Sequence, residues 1–137
     1  MRHTRRVVTG MACVLVAAVC FGECTSIQPL KEELKNSDAV IIGTVTSSRL
    51  VPQSWYAFDG TDYLVHVDQK IKGKRTAEMT IFSEHIEGGY DLQAGKQYLL
   101  FLSDDYGHWV VNRCGNSGTM EQEEKVIREL VHLAGND

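Results

Sequence analysis

Few side chains in this sequence have the types and spacing that catalysis requires. The body of the chain carries four scattered histidines, none at the His-x3-His spacing of a metal site: His66, His85, His108 and His132. Glu84 and His85 form an acid–histidine pair, but neighbours on a strand end point to opposite sides and rarely act together. The histidines therefore predict no metal site, and a hydrolase that uses His85 or His108 is the weakest alternative.

Two further polar stretches fit structural roles better than chemical ones. Ser103-Asp104-Asp105 is typical of a turn, and it offers too few oxygens at alternate positions for a calcium loop. Residues 115–118 (Gly-Asn-Ser-Gly) lack the strand–turn–helix context of a nucleophile elbow. The sequence thus predicts a binding protein and not an enzyme, with no catalytic residues and no cofactor.

The chain has four cysteines, and two of them, Cys13 and Cys20, lie in an N-terminal apolar segment. Residues 1–22 have the form of a secretory signal peptide, with three early arginines before an apolar run that ends at Phe21. That run is too short for a stable membrane span. Cleavage after Cys20 or after Gly22 is compatible with the small residues there, whereas Val19 fits lipidation of Cys20 poorly.

Export leaves Cys24 and Cys114 in the mature chain, and two such cysteines usually pair outside the cytosol. Two separate thiols are the alternative. The sequence therefore predicts a single secreted domain, residues 23–137, located in the periplasm or the extracellular space and closed by one long disulfide loop. We expect a monomer.

Charge argues against one class of partner. The whole chain has a formal net charge of −4, and removal of the signal arginines makes the mature chain more acidic. The only basic cluster surrounds one turn and consists of Lys70, Lys72, Lys74 and Arg75. Nucleic acid is therefore not expected as a partner.

The elements that position these residues are mostly strands. Five runs have strand character: 39–48, 63–71, 79–83, 97–102 and 109–111. Gly43 inside the first run predicts a bulge or bend. A short helix beginning near Pro29 would place Ile27, Leu30 and Leu34 on one face.

The chain is expected to end in a second helix. Thr119 and Gln122 have capping-box spacing, and acidic residues at 121, 123 and 124 suit a first turn. An apolar stripe predicts that this helix packs on the sheet: Val126, Ile127, Leu130, Val131 and Ala134. The fold class is mainly β, a five-stranded OB-type Greek-key barrel with a short N-terminal helix and a C-terminal helix. A β-sandwich is the rival.

A long connection, residues 49–61, joins the first two strands and carries three aromatic residues, Trp55, Tyr56 and Phe58. Aromatic side chains on a loop are typical of contact surfaces. Alternatively, they fold back and plug one end of the barrel.

Four segments together resemble the N-terminal domain of the tissue inhibitors of metalloproteinases and its bacterial secreted relatives, which have a netrin-like OB barrel. They are Asn36–Val45, Tyr63–Gly73, Tyr98–Leu102 and Asn112–Cys114. That family begins its mature chain with Cys-x-Cys, whereas this sequence keeps only Cys24. Gly88-Gly89-Tyr90 stands where the family has Cys-Gly-Tyr, so one whole disulfide is missing.

The resemblance implies a secreted binding module that inhibits metalloendopeptidases through its N-terminal edge. It places the partner-binding residues at Cys24, Thr25, Ser26, Trp55, Tyr56, Phe58, Gly89 and Tyr90. Family inhibitors chelate the zinc of a metalloprotease through the α-amino group and carbonyl of their first cysteine, and the next side chain enters the substrate pocket. Thr25 matches that second position, although both predicted cleavage sites leave residues before Cys24. The alternative is a cell-envelope adaptor that binds a protein or a glycan without inhibiting a protease.

Overall fold

A computed structural model describes residues 24–52, 59–85 and 89–134 of the chain. The elements there, in chain order, are α1 (Leu30–Asn36), β1 (Ala39–Val51), β2 (Gly60–Lys72), β3 (Glu78–Glu84), β4 (Gln97–Asp105), β5 (His108–Val111), β6 (Gly118–Thr119) and α2 (Glu124–Ala134). Within these ranges, no helix is long and apolar enough to cross a membrane.

Five of the strands close into a ring in the order β1–β2–β3–β5–β4–β1. The closing pair is β1–β4, and all pairs are antiparallel except β3–β5, which run parallel. Because β1 pairs on both of its sides, the sheet closes on itself and does not divide into the two layers of a sandwich. The predicted OB-type barrel with two helices is confirmed.

The first half of β1 is buried on both faces, which explains its nearly continuous apolar sequence. Ala39, Ile41 and Val45 point into the barrel, whereas Val40 and Ile42 point outward under the helices. The ladder between β1 and β2 shifts register beside Gly43, as the bulge prediction requires. A Cβ added at Gly43 would lie 2.5 Å from Cγ1 of Val65, so the bend also depends on a small residue.

Both helices cover the outer face of β1 and β4. Leu30 and Leu34 of α1 and Val126, Ile127 and Leu130 of α2 pack on this face. The predicted packing of the C-terminal helix on the barrel is confirmed. Two members of the predicted apolar faces do not follow: Ile27, which lies before α1 begins, and Val131 on α2 are each 65% exposed.

Two boundaries differ from the prediction. The β1–β2 hairpin extends to Val51 and Gly60, so the connection is shorter than residues 49–61. Helix α2 begins at Glu124, later than predicted, because Thr119 belongs to β6 and pairs with Tyr98 of β4. Half of the predicted capping box is present in the turn before α2, since the amide of Gln122 donates to Oγ1 of Thr119 at 3.4 Å. Near the end of β2 the apolar side chains change faces: Tyr63 points into the barrel, whereas Ile71 packs on the outer face under the helices.

Candidate functional site

The predicted disulfide is present in the structure and fastens the N-terminal segment to the loop after β5. Cys24 and Cys114 are 90 positions apart in sequence, and their Cα atoms are 5.3 Å apart. The backbone reinforces the bond, because the amide of Gln28 donates a hydrogen bond to the carbonyl of Cys114 at 3.0 Å. The segment before α1 is therefore held at two points.

A buried carboxylate also links α1, which follows the N-terminal segment, to the loop after β5. Glu33 of α1 is 0% exposed. Its Oε2 accepts hydrogen bonds from the backbone N–H and the side-chain Nδ2 of Asn116, both at 2.7 Å. A buried charge is tolerated only when it is hydrogen-bonded in this way. Gly115 has to be glycine here, because a Cβ at that position would collide with the Glu33 carboxylate.

The polar network continues from α1 to the strands. The hydroxyl of Ser37, the residue after α1, donates a hydrogen bond to the carbonyl of Glu33 at 2.7 Å. It also accepts a hydrogen bond from Nδ2 of Asn112 at 2.9 Å. The Oδ1 atom of Asn112 accepts a short hydrogen bond from Ser103 on β4. Asn112, two residues before Cys114, is thus hydrogen-bonded to both Ser37 at the end of α1 and Ser103 on β4.

The N-terminal segment itself faces solvent. Cys24, Thr25, Ser26 and Ile27 are all exposed, and Ile27 presents an apolar side chain. A single exposed apolar side chain is common on protein surfaces and does not by itself mark an interface. The segment is short, exposed and held in place.

Gly89 and Tyr90 lie at the same end of the barrel. They line a shallow pocket of about 360 Å³ together with Asn112 and Arg113, the residues that lead into Cys114. Tyr90 is half-buried against the barrel core. Burial, with smaller contributions from Tyr98 and Glu123, raises the pKa of its hydroxyl to about 12, so it stays protonated and can donate a hydrogen bond.

Strand directions explain this convergence. Because β3 and β5 run parallel, their C-terminal ends meet at one end of the barrel. The base of the β1–β2 loop lies there too, since Gly60 pairs with Glu84 and the amide of His85 donates to the carbonyl of Asp59 at 2.8 Å. The three predicted contact residues of that loop, Trp55, Tyr56 and Phe58, lie outside the described residues, and their role as contact or plug stays a prediction.

We define the N-terminal edge as Cys24–Ile27 with Gly89, Tyr90 and Arg113. The sequence does not predict the exposure of Ile27 in this edge, nor the burial of Glu33 in the network beside it. Ile27 was assigned to a helix face because of its spacing from Leu30. The buried Glu33 was missed because charged residues in a short helix normally face water.

A second carboxylate lies close to Glu33. Glu123, just before α2, has its pKa raised by partial burial and by the negative charge of Glu33. Its carboxylate packs against the backbone of β6, where a Cβ at Gly118 would strike it. The two ionisable side chains buried or partly buried in this region, Glu33 and Glu123, are therefore both acidic.

Two of the described histidines, His66 and His85, have polar partners in the structure. His85 shares a hydrogen bond of 2.7 Å between its Nε2 and Oγ1 of Thr61, and His66 lies 3.9 Å from Asp68. Asp68 itself has a lowered pKa, chiefly because Thr44 and then Gln97 donate hydrogen bonds to it. Among the described residues, no group of three or more His, Cys, Asp or Glu side chains is arranged to hold a metal ion.

Comparison with protein-family models gives no match for this chain, and comparison with curated proteins gives none either.

Proposed function

We propose that this protein is an exported, disulfide-stapled binding module that recognises a partner protein through its N-terminal edge. The observation that carries the proposal is the fastening of an exposed segment at both of its ends. Cys24 is bonded to Cys114, and Gln28 donates its N–H to the carbonyl of Cys114 and accepts Nδ2 of Asn116 at its own carbonyl. Because a rigid segment loses little conformational freedom when it binds, such a construction favours recognition.

The partner class comes from the resemblance to inhibitors of zinc metalloproteases. In that family the N-terminal segment and neighbouring loops form one contact ridge. Here Cys24–Ile27 adjoins Gly89 and Tyr90 through the loop of Arg113 and Cys114, which supports an equivalent arrangement. We infer that the edge occupies the substrate cleft of a metalloendopeptidase, with Thr25 as the side chain that enters it.

Chelation of the protease zinc is a separate matter from occupation of the cleft. Chelation requires the α-amino group of Cys24, whereas the predicted signal cleavage leaves Glu23 or Phe21 as the first residue. The proposal therefore rests on occlusion of the cleft by the edge. An export signal in residues 1–22 belongs to the same proposal.

The test uses two forms of the oxidised protein, one beginning at Glu23 and one beginning at Cys24. Each is titrated against a panel of zinc endopeptidases with a peptide substrate. Occlusion predicts inhibition by both forms. Inhibition by the Cys24 form alone would establish chelation in place of occlusion, and absence of both inhibition and binding at micromolar concentration would refute the proposal.

A further inference from the structure

The basic cluster at the turn between β2 and β3 divides into two parts in the structure. Lys72 is engaged, because its Nζ donates hydrogen bonds to the carbonyls of Leu34 and Lys35 at the end of α1, at 2.8 and 2.9 Å. Lys74 and Arg75 are exposed, and neither makes a hydrogen bond or an ion pair with another described residue. One turn therefore presents two adjacent cations to solvent.

The backbone of this turn is as accessible as its side chains. Residues 73–77 are all exposed, and none of them takes part in a strand ladder. The first backbone hydrogen bond after Arg75 is at Ala77, whose carbonyl accepts the N–H of Val67 at 2.9 Å. Exposed, polar loop tips are the preferred sites of proteolytic nicking, since a protease has to draw a short segment into its cleft. Residues 73–76 meet this requirement.

The remaining lysines and arginines from Cys24 onward all lie within the described residues, and most belong to regular structure. Arg49, Lys70 and Lys72 are paired in the β1–β2 ladder. Four others lie in the two helices: Lys31, Lys35, Lys125 and Arg128. A protease reaches such residues only after local unfolding, and the open population is small in a stable domain.

Two more basic residues, Lys96 and Arg113, lie in turns whose backbone is held. The N–H of Lys96 donates to the carbonyl of Gln93 at 3.2 Å, and its own carbonyl accepts the N–H of Val45 at 3.0 Å. Arg113 lies directly before Cys114, which is fixed by the disulfide. Lys74 and Arg75 are thus the basic residues that combine a free side chain with a free backbone.

We propose that the turn between β2 and β3 is a processing site, cut once in the folded protein by a serine endopeptidase of trypsin-like specificity at the Arg75–Thr76 bond. Such an enzyme holds the cation before the cut against a carboxylate in its specificity pocket. In the hydrolysis the C–N bond breaks, the carbonyl carbon of Arg75 takes the hydroxyl of one water molecule, and the nitrogen of Thr76 takes its proton.

The cut protein stays in one piece. Cys24 lies before the cut and Cys114 after it, so the disulfide joins the two fragments. Strand β2 also remains paired with β1 and β3. Because β2 runs from Gly60, at the end of the barrel that carries the N-terminal edge, to Lys72, the cut lies at the opposite end. The two-chain form should keep the edge intact, so the proposal does not depend on protease inhibition.

The experiment is limited digestion of the oxidised protein beginning at Glu23 by trypsin at a low ratio of enzyme to protein. Intact mass is measured with and without a reducing agent. We expect one early product that is heavier than the intact protein by one water molecule and separates into two chains only after reduction. N-terminal sequencing should give Thr76 as the new first residue, and the circular dichroism spectrum should match that of the uncut protein.

Variants separate this turn from the other basic positions. Lys74→Gln/Arg75→Gln should slow the first cut at least about a hundredfold, because the specificity pocket loses its charged partner. Lys96→Gln is the matched control, since it removes an exposed cation from a turn whose backbone is held, and it should leave the rate unchanged. All three positions are exposed, so both variants should fold.

An early cut after Lys96, Arg113 or a basic residue of a helix or strand would overturn the proposal, and so would equal rates for the two variants. A stable complex with trypsin and no cut would also overturn it and would make the turn a serine protease inhibitor. Fragments that separate without reduction would contradict the part assigned to the disulfide. Inhibition of zinc endopeptidases is measured on the intact and two-chain forms, so failure here and failure of the proposed function can be distinguished.

Discussion

Removing the Cys24–Cys114 bond should cost a large part of the stability of the protein. The bond closes a loop across 90 positions. In the chain-entropy model, a loop of this length lowers the entropy of the unfolded chain enough to stabilise the native state by on the order of 4–5 kcal/mol. Domains of this size have unfolding free energies of about 5–15 kcal/mol. The variant Cys24→Ser/Cys114→Ser should therefore remain folded in dilute buffer but unfold easily.

Urea unfolding followed by circular dichroism measures this loss. For a slope of about 1–2 kcal/mol per molar urea, the midpoint should fall by roughly 2–5 M. Each single variant should lose as much as the double variant, because either change breaks the whole bond. A loss below about 1 kcal/mol, or losses that add, would refute the reasoning, since the Glu33 network would then be sufficient to hold the segment.

Three further predictions concern the interior. Glu123→Gln should raise the free energy of unfolding at neutral pH. Native Glu123, beside Glu33, holds its proton to higher pH than the unfolded chain does, so the wild type loses stability as pH rises above the ordinary glutamate pKa of 4.5, and the variant should not. Urea unfolding at acidic and at neutral pH measures both effects. Gly60→Ala should cost about 1–3 kcal/mol of unfolding free energy, because the new Cβ would strike the ring of Phe82; an unchanged urea midpoint would contradict this. Tyr90→Phe should lessen the loss of stability between pH 10 and about 12, a window in which the unfolded tyrosine ionises and the native one does not; identical alkaline unfolding of variant and wild type would show otherwise.

The barrel could be predicted from sequence because its strands carry strong local signals. The apolar run Ala39–Val45 and the alternation from Tyr63 to Val67 both match strands whose burial follows those patterns. The outer end of the β1–β2 hairpin could not be predicted in the same way. The predicted first strand ends at residue 48, whereas Arg49 and Leu50 continue β1 and pair with β2. Both side chains are exposed, so no burial pattern marks them as strand residues.

Short and non-local features were the other source of error. Strand β6 has two residues, too few to show a period in the sequence. Because it pairs with β4, the chain is not yet helical at Thr119, and α2 begins at Glu124. The disulfide could be predicted by elimination among four cysteines. Glu33 could not, because its burial depends on Asn116, which lies 83 positions away.

The central claim, that the fastened N-terminal edge recognises a protease, is tested most directly by comparing inhibition constants of two matched variants. Thr25→Arg places a large cation on the edge, and Val131→Arg places the same side chain at an exposed position on α2, beside β2. If Thr25 is a hot spot, its variant should lose at least about 2 kcal/mol of binding free energy, or roughly thirtyfold in the inhibition constant, whereas the α2 variant should match wild type. Equal inhibition constants for the two variants would contradict the claim.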